Sequence, residues 1–146
     1  MKICILDNDT IDEALVPTYR SYGAMLEKVL RQAGATDWAM DHFSTPLQQY
    51  PDSFDDYDAV LLTGSKADSF SDEAWVVELR RRVTELLKTD TKLLGICFGH
   101  QLIAYCLGAK VARAPQGWVT GRNTYQWHDA DFAASGREQF ALLASH

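Results

Sequence analysis

Three short, unbroken apolar runs along the chain predict its central strands. They lie within the predicted strands at residues 3–6, 58–63 and 93–96. Runs of this length without alternation are typical of strands that are covered on both faces, as in a parallel sheet. A further strand is predicted over residues 38–43, ahead of a polar, proline-containing surface connection.

Between these strands, apolar residues recur at the three- and four-residue spacing of a helix face. Residues 21–32 form one such pattern, closed by Ala33 and Gly34, and residues 72–88 form another, with Ser71 as the candidate N-cap. Because strands and helices alternate, we predict an α/β fold with a mostly parallel sheet.

The last part of the chain shows a different pattern. Residues 110–114 predict a short strand, polar and apolar residues first alternate over residues 118–128, and another strand is predicted over residues 139–146. Alternation is typical of antiparallel strands with one solvated face. We therefore expect small antiparallel strands at the edge of the sheet, within one domain that covers residues 1–146.

Composition and charge exclude several classes of function. With 14 basic and 20 acidic residues the net charge is -6, so the chain lacks the excess positive charge that neutralises nucleic-acid phosphates. No apolar run approaches the roughly 20 residues that span a bilayer, and no secretory signal is evident. We expect a cytoplasmic protein with neither a nucleic-acid nor a membrane partner.

The three cysteines lack the paired spacing of a disulfide framework or a zinc site. Cys4 and Cys106 lie in apolar segments and are interpreted as small core residues. Cys97 differs, because Gly95 and Gly99 flank it where an apolar strand passes into a helical pattern. Small residues two positions before and after a nucleophile allow the sharp turn that exposes its side chain above a sheet. The pattern predicts a nucleophile elbow that carries a thiol.

A loop after the third predicted strand complements that thiol. Attack of a thiolate on a carbonyl group generates an oxyanion, which needs N–H donors already in place. The N–H of Phe98 and one N–H of the Gly64 loop are the natural pair. Gln101, one helical turn after Cys97, lies on the same helix face and is suited to holding a polar substrate.

Several other polar residues admit competing interpretations. Asp7 and Asp9, after the first strand, also fit the magnesium site of a receiver domain, but Thr63 stands where such a domain carries its phosphorylated aspartate. His100 lies on the elbow helix itself, which is a poor position for a base.

Three histidines lie outside the elbow helix. His42 and His128 are interpreted as surface or strand-edge residues. His146 follows Ser145 at a predicted strand end, where both a structural role and a direct site role stay open.

Three segments together carry a resemblance to a known family: Gly-Ile-Cys-Phe-Gly-His-Gln at the elbow, the strand and loop YDAVLLTGS, and the N-terminal ILDND. They resemble a class I (triad-type) glutamine amidotransferase domain, in particular its stand-alone GMP-synthase-like branch. The resemblance implies a flavodoxin-like three-layer sandwich and hydrolysis of the glutamine side-chain amide through a γ-glutamyl thioester. It implies no metal or cofactor, and a partner in the form of an ammonia acceptor or a synthetase.

The same resemblance assigns roles to individual residues. They are the nucleophile Cys97, the oxyanion-hole residues Gly64 and Phe98, and the substrate-binding residues Gln101, Ser145 and His146. Ser145 and His146 match the start of a Ser-His-x-Asp segment whose backbone lies along the α-amino and carboxylate groups of glutamine. His146 is then not the catalytic histidine.

Two departures from the family pattern bear on activity. Ser65 follows Gly64 where the family commonly has a second glycine, so the N–H of either residue is a candidate donor to the oxyanion. The family's His-Pro-Glu motif, which carries the catalytic histidine and glutamate, does not occur in the sequence, and no histidine in a base position has an evident orienting carboxylate. We expect the chain to be the N-terminal part of a longer protein; a complete protein of this sequence would have negligible glutaminase activity.

Two further functions stay open. A γ-glutamyl peptidase or hydrolase would use the same cysteine on a γ-glutamyl compound. A chain that lacks its base would instead be an inactive binding or regulatory domain.

Overall fold

The computed structural model describes residues 1–126 and 139–145, which fall into two compact units. The first unit, Met1–Val111, contains a four-stranded sheet and the helices. The second unit, Ala112–His146, contains a two-stranded sheet. In this described part of the chain, no helix combines the length and the hydrophobicity needed to span a bilayer.

Strands and helices alternate in the first unit, as the sequence predicts. The strands are β1 (Lys2–Asp7), β2 (Ala39–Ser44), β3 (Ala59–Leu62) and β4 (Lys92–Gly95). The helices are α1 (Val16–Tyr19), which follows a 3-10 turn at Glu13–Leu15, α2 (Tyr22–Gln32), α3 (Ala74–Leu86) and α4 (Phe98–Cys106). Helix α3 begins after Glu73 rather than after Ser71, because the Ser71 hydroxyl accepts the Glu73 N–H at 3.2 Å and so orders the turn before the helix.

The four strands form one parallel sheet in the order β2-β1-β3-β4, the order of a flavodoxin-like fold. Leu6 of β1 pairs with Leu62 of β3, and Leu62 pairs with Gly95 of β4. The carboxyl ends of these strands therefore meet at one edge of the sheet. Strand β4 pairs only with β3 among the described residues, and Leu94 and Ile96 are 54% and 39% exposed.

Both faces of the sheet are covered, as the unbroken apolar runs of β1 and β3 indicate. One core cluster packs Leu6 and Leu62 against α3 and α4, where Phe98 is 1% exposed. A second cluster packs Ile5 against Leu26 of α2 on the opposite face. Alternate residues of a strand point to opposite faces, so each central strand contributes to both clusters.

A buried polar network joins the ends of β1, β2 and β3. The Asn8 side-chain amide donates to the Thr63 carbonyl oxygen at 2.9 Å, and the Asn8 N–H donates to Thr63 Oγ1 at 2.8 Å. Thr45 Oγ1 donates to Asn8 Oδ1 at 2.9 Å. All three residues are at most 2% exposed. Because water cannot replace these bonds, the network fixes the strand ends relative to one another.

In the second unit, β5 (Thr120–Gln126) and β6 (Gln139–Ser145) pair antiparallel, which confirms the antiparallel prediction. The rings of Tyr125 and Phe140 stack across the pair with centroids 5.5 Å apart. The predicted strand over residues 110–114 is wrong: these residues are mostly exposed and pair with no strand in the described ranges. An apolar run forms a strand only where a neighbouring strand completes its hydrogen bonds.

We expect Asn8→Ala to lower the free energy of unfolding by about 1–3 kcal/mol, because it leaves the buried Thr63 carbonyl without its donor and leaves the Thr45 hydroxyl only its longer bond, 3.4 Å to the Asp7 carbonyl. Urea unfolding followed by circular dichroism measures the change. Asn123→Ala is the matched control: it removes an exposed amide that donates to the Gly121 carbonyl at 3.1 Å, and its effect should stay within about 0.5 kcal/mol. Equal effects of the two substitutions would show that the buried network does not stabilise the fold.

Candidate active site

Cys97 lies between β4 and α4, where the chain turns from strand to helix within two residues. Its backbone has φ 50° and ψ -106°, and its side chain is exposed. A positive φ is costly for a residue with a Cβ and persists only where the surrounding structure enforces it. The turn thus presents a thiol at the carboxyl edge of the sheet.

Glycines on both sides of Cys97 make this turn sterically feasible. A Cβ at Gly95 would lie 2.4 Å from both Gly99 C and His100 N. A Cβ at Gly99 would lie 2.6 Å from both the Cβ and the carbonyl oxygen of Leu62. Such contacts are far inside van der Waals distance and involve backbone atoms that cannot move aside. The elbow therefore requires glycine at both positions, for the steric reason that the sequence spacing indicates.

The loop after β3 passes directly beside Cys97. A Cβ at Gly64 would lie 3.7 Å from Cys97 Cβ. Within the described ranges, the N–H groups of Gly64, Ser65 and Phe98 have no hydrogen-bond acceptor. Phe98 is the first residue of α4, so its N–H lies at the positive end of the helix dipole. Gly64, Cys97 and Phe98, which the sequence groups together, are neighbours in space.

Asp9 binds the same loop from the end of β1. Its Oδ2 accepts the Lys66 N–H at 2.7 Å and the Ser65 hydroxyl at 3.5 Å, and its Oδ1 lies 3.3 Å from Lys66 Nζ. The Asp9 side chain is 9% exposed. Sequence reasoning misses this contact, since it depends on β1 and β3 being adjacent in the sheet. The one indication of it in the sequence is an acidic residue just after β1, at the sheet edge where a glycine-containing loop is also expected.

Asp7, the other acidic residue that would fit the magnesium site of a receiver domain, also accepts a backbone N–H. Its Oδ2 accepts the Gly23 N–H at 2.9 Å, in the first turn of α2. A Cβ at Gly23 would lie 2.9 Å from that same oxygen, so a glycine is needed for the close approach. Across residues 1–126 and 139–145, no three His, Cys, Asp or Glu side chains are grouped so as to hold a metal ion.

An open cavity of about 380 Å³ adjoins the Gly64 loop. Gly64 is common to this cavity and to the contact with Cys97. The cavity is lined by Asp9, Thr10, Asp12, Tyr22, Gly64, Ser65 and Lys66.

Gln101 lies one turn along α4 from Cys97, and its N–H donates to the Cys97 carbonyl at 3.0 Å. His100, on the same helix, is exposed. Ser145 is the last residue of β6 in the second unit, where it is exposed and pairs with Thr120. His146 lies outside the described residues, as does His128.

The accessibility of the cysteines differs as the sequence predicts. Cys4 is fully buried in the core, and burial raises the pKa of its thiol to about 12. Cys106 is partly buried, its thiol donates to the Arg80 carbonyl at 3.6 Å, and burial raises its pKa as well. Cys97 alone among the three is exposed. His42, on the edge strand β2, binds Glu27 at 2.8 Å, which confirms its interpretation as a strand-edge residue.

Comparison with known proteins gives a consistent picture. The sequence profile described as "Glutamine amidotransferase class-I" matches residues 14–146. A glutamine amidotransferase-like protein of Schizosaccharomyces pombe is 29% identical over 99% of the chain and 62% of its own length. Gamma-glutamyl peptidase 4 of Arabidopsis thaliana is 37% identical over 68% of the chain and 39% of its own length. The chain thus spans less than two thirds of the length of these relatives.

Solved structures show the same fold. A glutamine amidotransferase from Thermotoga maritima superposes with a TM-score of 0.79 at 21% identity, covering 100% of this chain and 60% of that one. A glutamine amidotransferase from Methylobacillus flagellatus gives a TM-score of 0.70 at 16% identity, covering 99% and 55%. With the profile match extending over most of the sequence, the chain belongs to the class-I glutamine amidotransferase family.

Proposed function

We propose that this domain hydrolyses the side-chain amide of glutamine with Cys97 as the nucleophile. The observation that carries the proposal is the exposed thiol of Cys97, held at a strained turn beside Gly64 and at the N-terminus of α4. The thiolate is the reactive form of a cysteine nucleophile. Family membership supports a reaction of the amidotransferase or hydrolase type.

In the proposed reaction, Cys97 Sγ attacks the carbonyl carbon of the glutamine side chain. The carbonyl oxygen becomes an oxyanion that accepts the N–H of Phe98 and the N–H of Gly64 or Ser65, each of which has no acceptor in the described ranges. Collapse of the tetrahedral intermediate forms a γ-glutamyl thioester, and the protonated amide nitrogen leaves as ammonia. Water then hydrolyses the thioester to glutamate and regenerates the thiol.

The remaining assignments extend the proposal to the substrate and the partner. Gln101, Ser145 and His146 bind the polar groups of glutamine, and the released ammonia passes to an acceptor or to a synthetase partner. The proton transfers need a base, which we place in the His-Pro-Glu motif of a longer form of the protein. Inspection of the reading frame beyond His146 for a His-x-Glu pair is the direct check.

We expect a glutamine-mimicking diazoketone to label Cys97 in the full-length protein, with free glutamine protecting against the label. Cys4 should stay unlabelled at pH 8, because a thiol with a pKa of about 12 is ionised in only about one molecule in 10⁴. Peptide mass spectrometry locates the modified residue.

Cys97→Ala should abolish this labelling, and Cys106→Ala, which removes a partly buried thiol, is the matched control that should keep it. Label found only on Cys4 or Cys106, or on no cysteine of the full-length protein, would count against the proposed nucleophile.

A second candidate function is hydrolysis of γ-glutamyl peptides through the same thioester. One observation favours it, the 37% identity to gamma-glutamyl peptidase 4 of Arabidopsis thaliana. The leaving amine would take the proton that ammonia takes in the first candidate.

A comparison of glutamine and γ-glutamyl dipeptides as substrates separates the two candidate functions. We expect kcat/KM for ammonia release from glutamine to exceed that for amino-acid release from γ-glutamyl dipeptides by at least about tenfold, equivalent to 1.4 kcal/mol of transition-state stabilisation. Coupled assays for ammonia and for the free amino acid measure both rates, with Cys97→Ala as the common blank. The reverse ratio would identify a peptidase, and neither product together with an unlabelled Cys97 would identify a binding or regulatory domain.

A further inference from the structure

We propose that Asp9 is a positioning residue for this reaction, acting by fixing the backbone N–H donors of the loop at residues 64–67. The inference rests on the proposed function, since it concerns the donors that would bind the oxyanion. Asp9 lies at the end of β1, whereas the donors follow β3, so the contact joins two neighbouring strands.

The donor segment is held at both of its ends. Before it, Thr63 is bound through its hydroxyl and its carbonyl to the buried Asn8. After it, the Lys66 N–H donates to Asp9 Oδ2 at 2.7 Å. Gly64 and Ser65 are the two residues between these anchors, and their N–H groups have no acceptor in the described ranges. Asp9 thus accepts the neighbouring Lys66 N–H and leaves the N–H groups of Gly64 and Ser65 available to an oxyanion.

The position of the Asp9 carboxylate is itself well determined. Its side chain is 9% exposed, and its Oδ1 accepts the N–H of Thr10 at 2.7 Å. A backbone N–H that donates to a carboxylate makes a bond roughly twice as strong as one to a neutral oxygen. The ion pair with Lys66 Nζ contributes less, because that side chain is 80% exposed.

Ser65 gains a role in this arrangement. Its hydroxyl donates to Asp9 Oδ2 at 3.5 Å and accepts the N–H of Ala67 at 3.1 Å. A second glycine, common in the family at this position, would provide neither bond. The serine therefore connects the donor loop to Asp9 and stiffens a segment in which Gly64 alone has unrestricted backbone freedom.

The test compares Asp9→Ala with Asp9→Asn in the full-length protein. Loss of the anchor should lower kcat for glutamine about 10- to 100-fold with KM changed less than about threefold, because the donors act on the oxyanion and not on bound glutamine. Asp9→Asn keeps a side-chain oxygen for the Lys66 N–H and should recover most of kcat. The matched control is Asp58→Ala, since Asp58 Oδ2 accepts the Lys2 N–H at 2.7 Å at the opposite ends of the same two strands; its kcat should stay within about twofold of the wild type.

Two further readouts exclude a merely structural role. Alkylation of Cys97 by iodoacetamide develops no oxyanion, so its rate in Asp9→Ala should stay within about twofold of the wild type. Amide hydrogen exchange at Lys66, whose N–H donates to Asp9 Oδ2, should become at least about tenfold faster in Asp9→Ala and stay unchanged in Asp58→Ala.

The outcomes distinguish this inference from the proposed function. An unchanged kcat in Asp9→Ala, or a fall in kcat matched by an equal fall in alkylation rate, would overturn the positioning role and leave the proposed function intact. A wild-type protein with an unlabelled Cys97 and no turnover would overturn the proposed function, and the positioning role with it.

Discussion

The close approach of α4 to β3 at Gly99 is the contact on which the rest of the site depends. With no side chain at Gly99, the helix backbone packs onto Leu62, and only two residues separate the end of β4 from the start of α4. Phe98 is then buried in the core, where its ring lies 5.6 Å from that of Trp75. Because Gly99 and Phe98 are both fixed, Cys97 cannot relax to a negative φ, and the strain at the thiol is maintained by packing.

A parallel sheet brings the other parts of the site to the same edge. Strand β1 ends in Asn8 and Asp9, β3 ends in Thr63 and the Gly64 loop, and β4 ends at the elbow. No single strand carries the whole arrangement, which is the general reason why sites of open α/β sheets lie at the carboxyl ends of their strands. The buried bonds between Asn8 and Thr63 couple the register of the sheet to the position of the loop.

Local patterns in the sequence predict much of this fold. Unbroken apolar runs identify β1 and β3 because these strands are covered on both faces, and the glycine spacing identifies the turn at Cys97 because its cause is a local steric clash. The run at β4 also marks a strand, although Leu94 is 54% exposed. The family assignment from the elbow and its neighbouring segments is confirmed by the profile match over residues 14–146.

Features that depend on long-range pairing could not be predicted in this way. The bond from Lys66 to Asp9 needs the strand order, which local periodicity does not contain. The same limit explains the error at residues 110–114, whose apolar pattern says nothing about whether a partner strand is present. The roles assigned to the site residues, as nucleophile, oxyanion-hole donors and substrate-binding residues, stay predictions.

The φ of 50° at Cys97 also affects how related sequences should be interpreted. A strained non-glycine residue costs on the order of 1–3 kcal/mol of stability, a cost that glycine at the same position would largely avoid. A domain with no need for the thiol would therefore gain stability by placing glycine there. Among relatives with the same two flanking glycines, a glycine in place of this cysteine would mark a lineage in which selection for stability has replaced selection for chemistry.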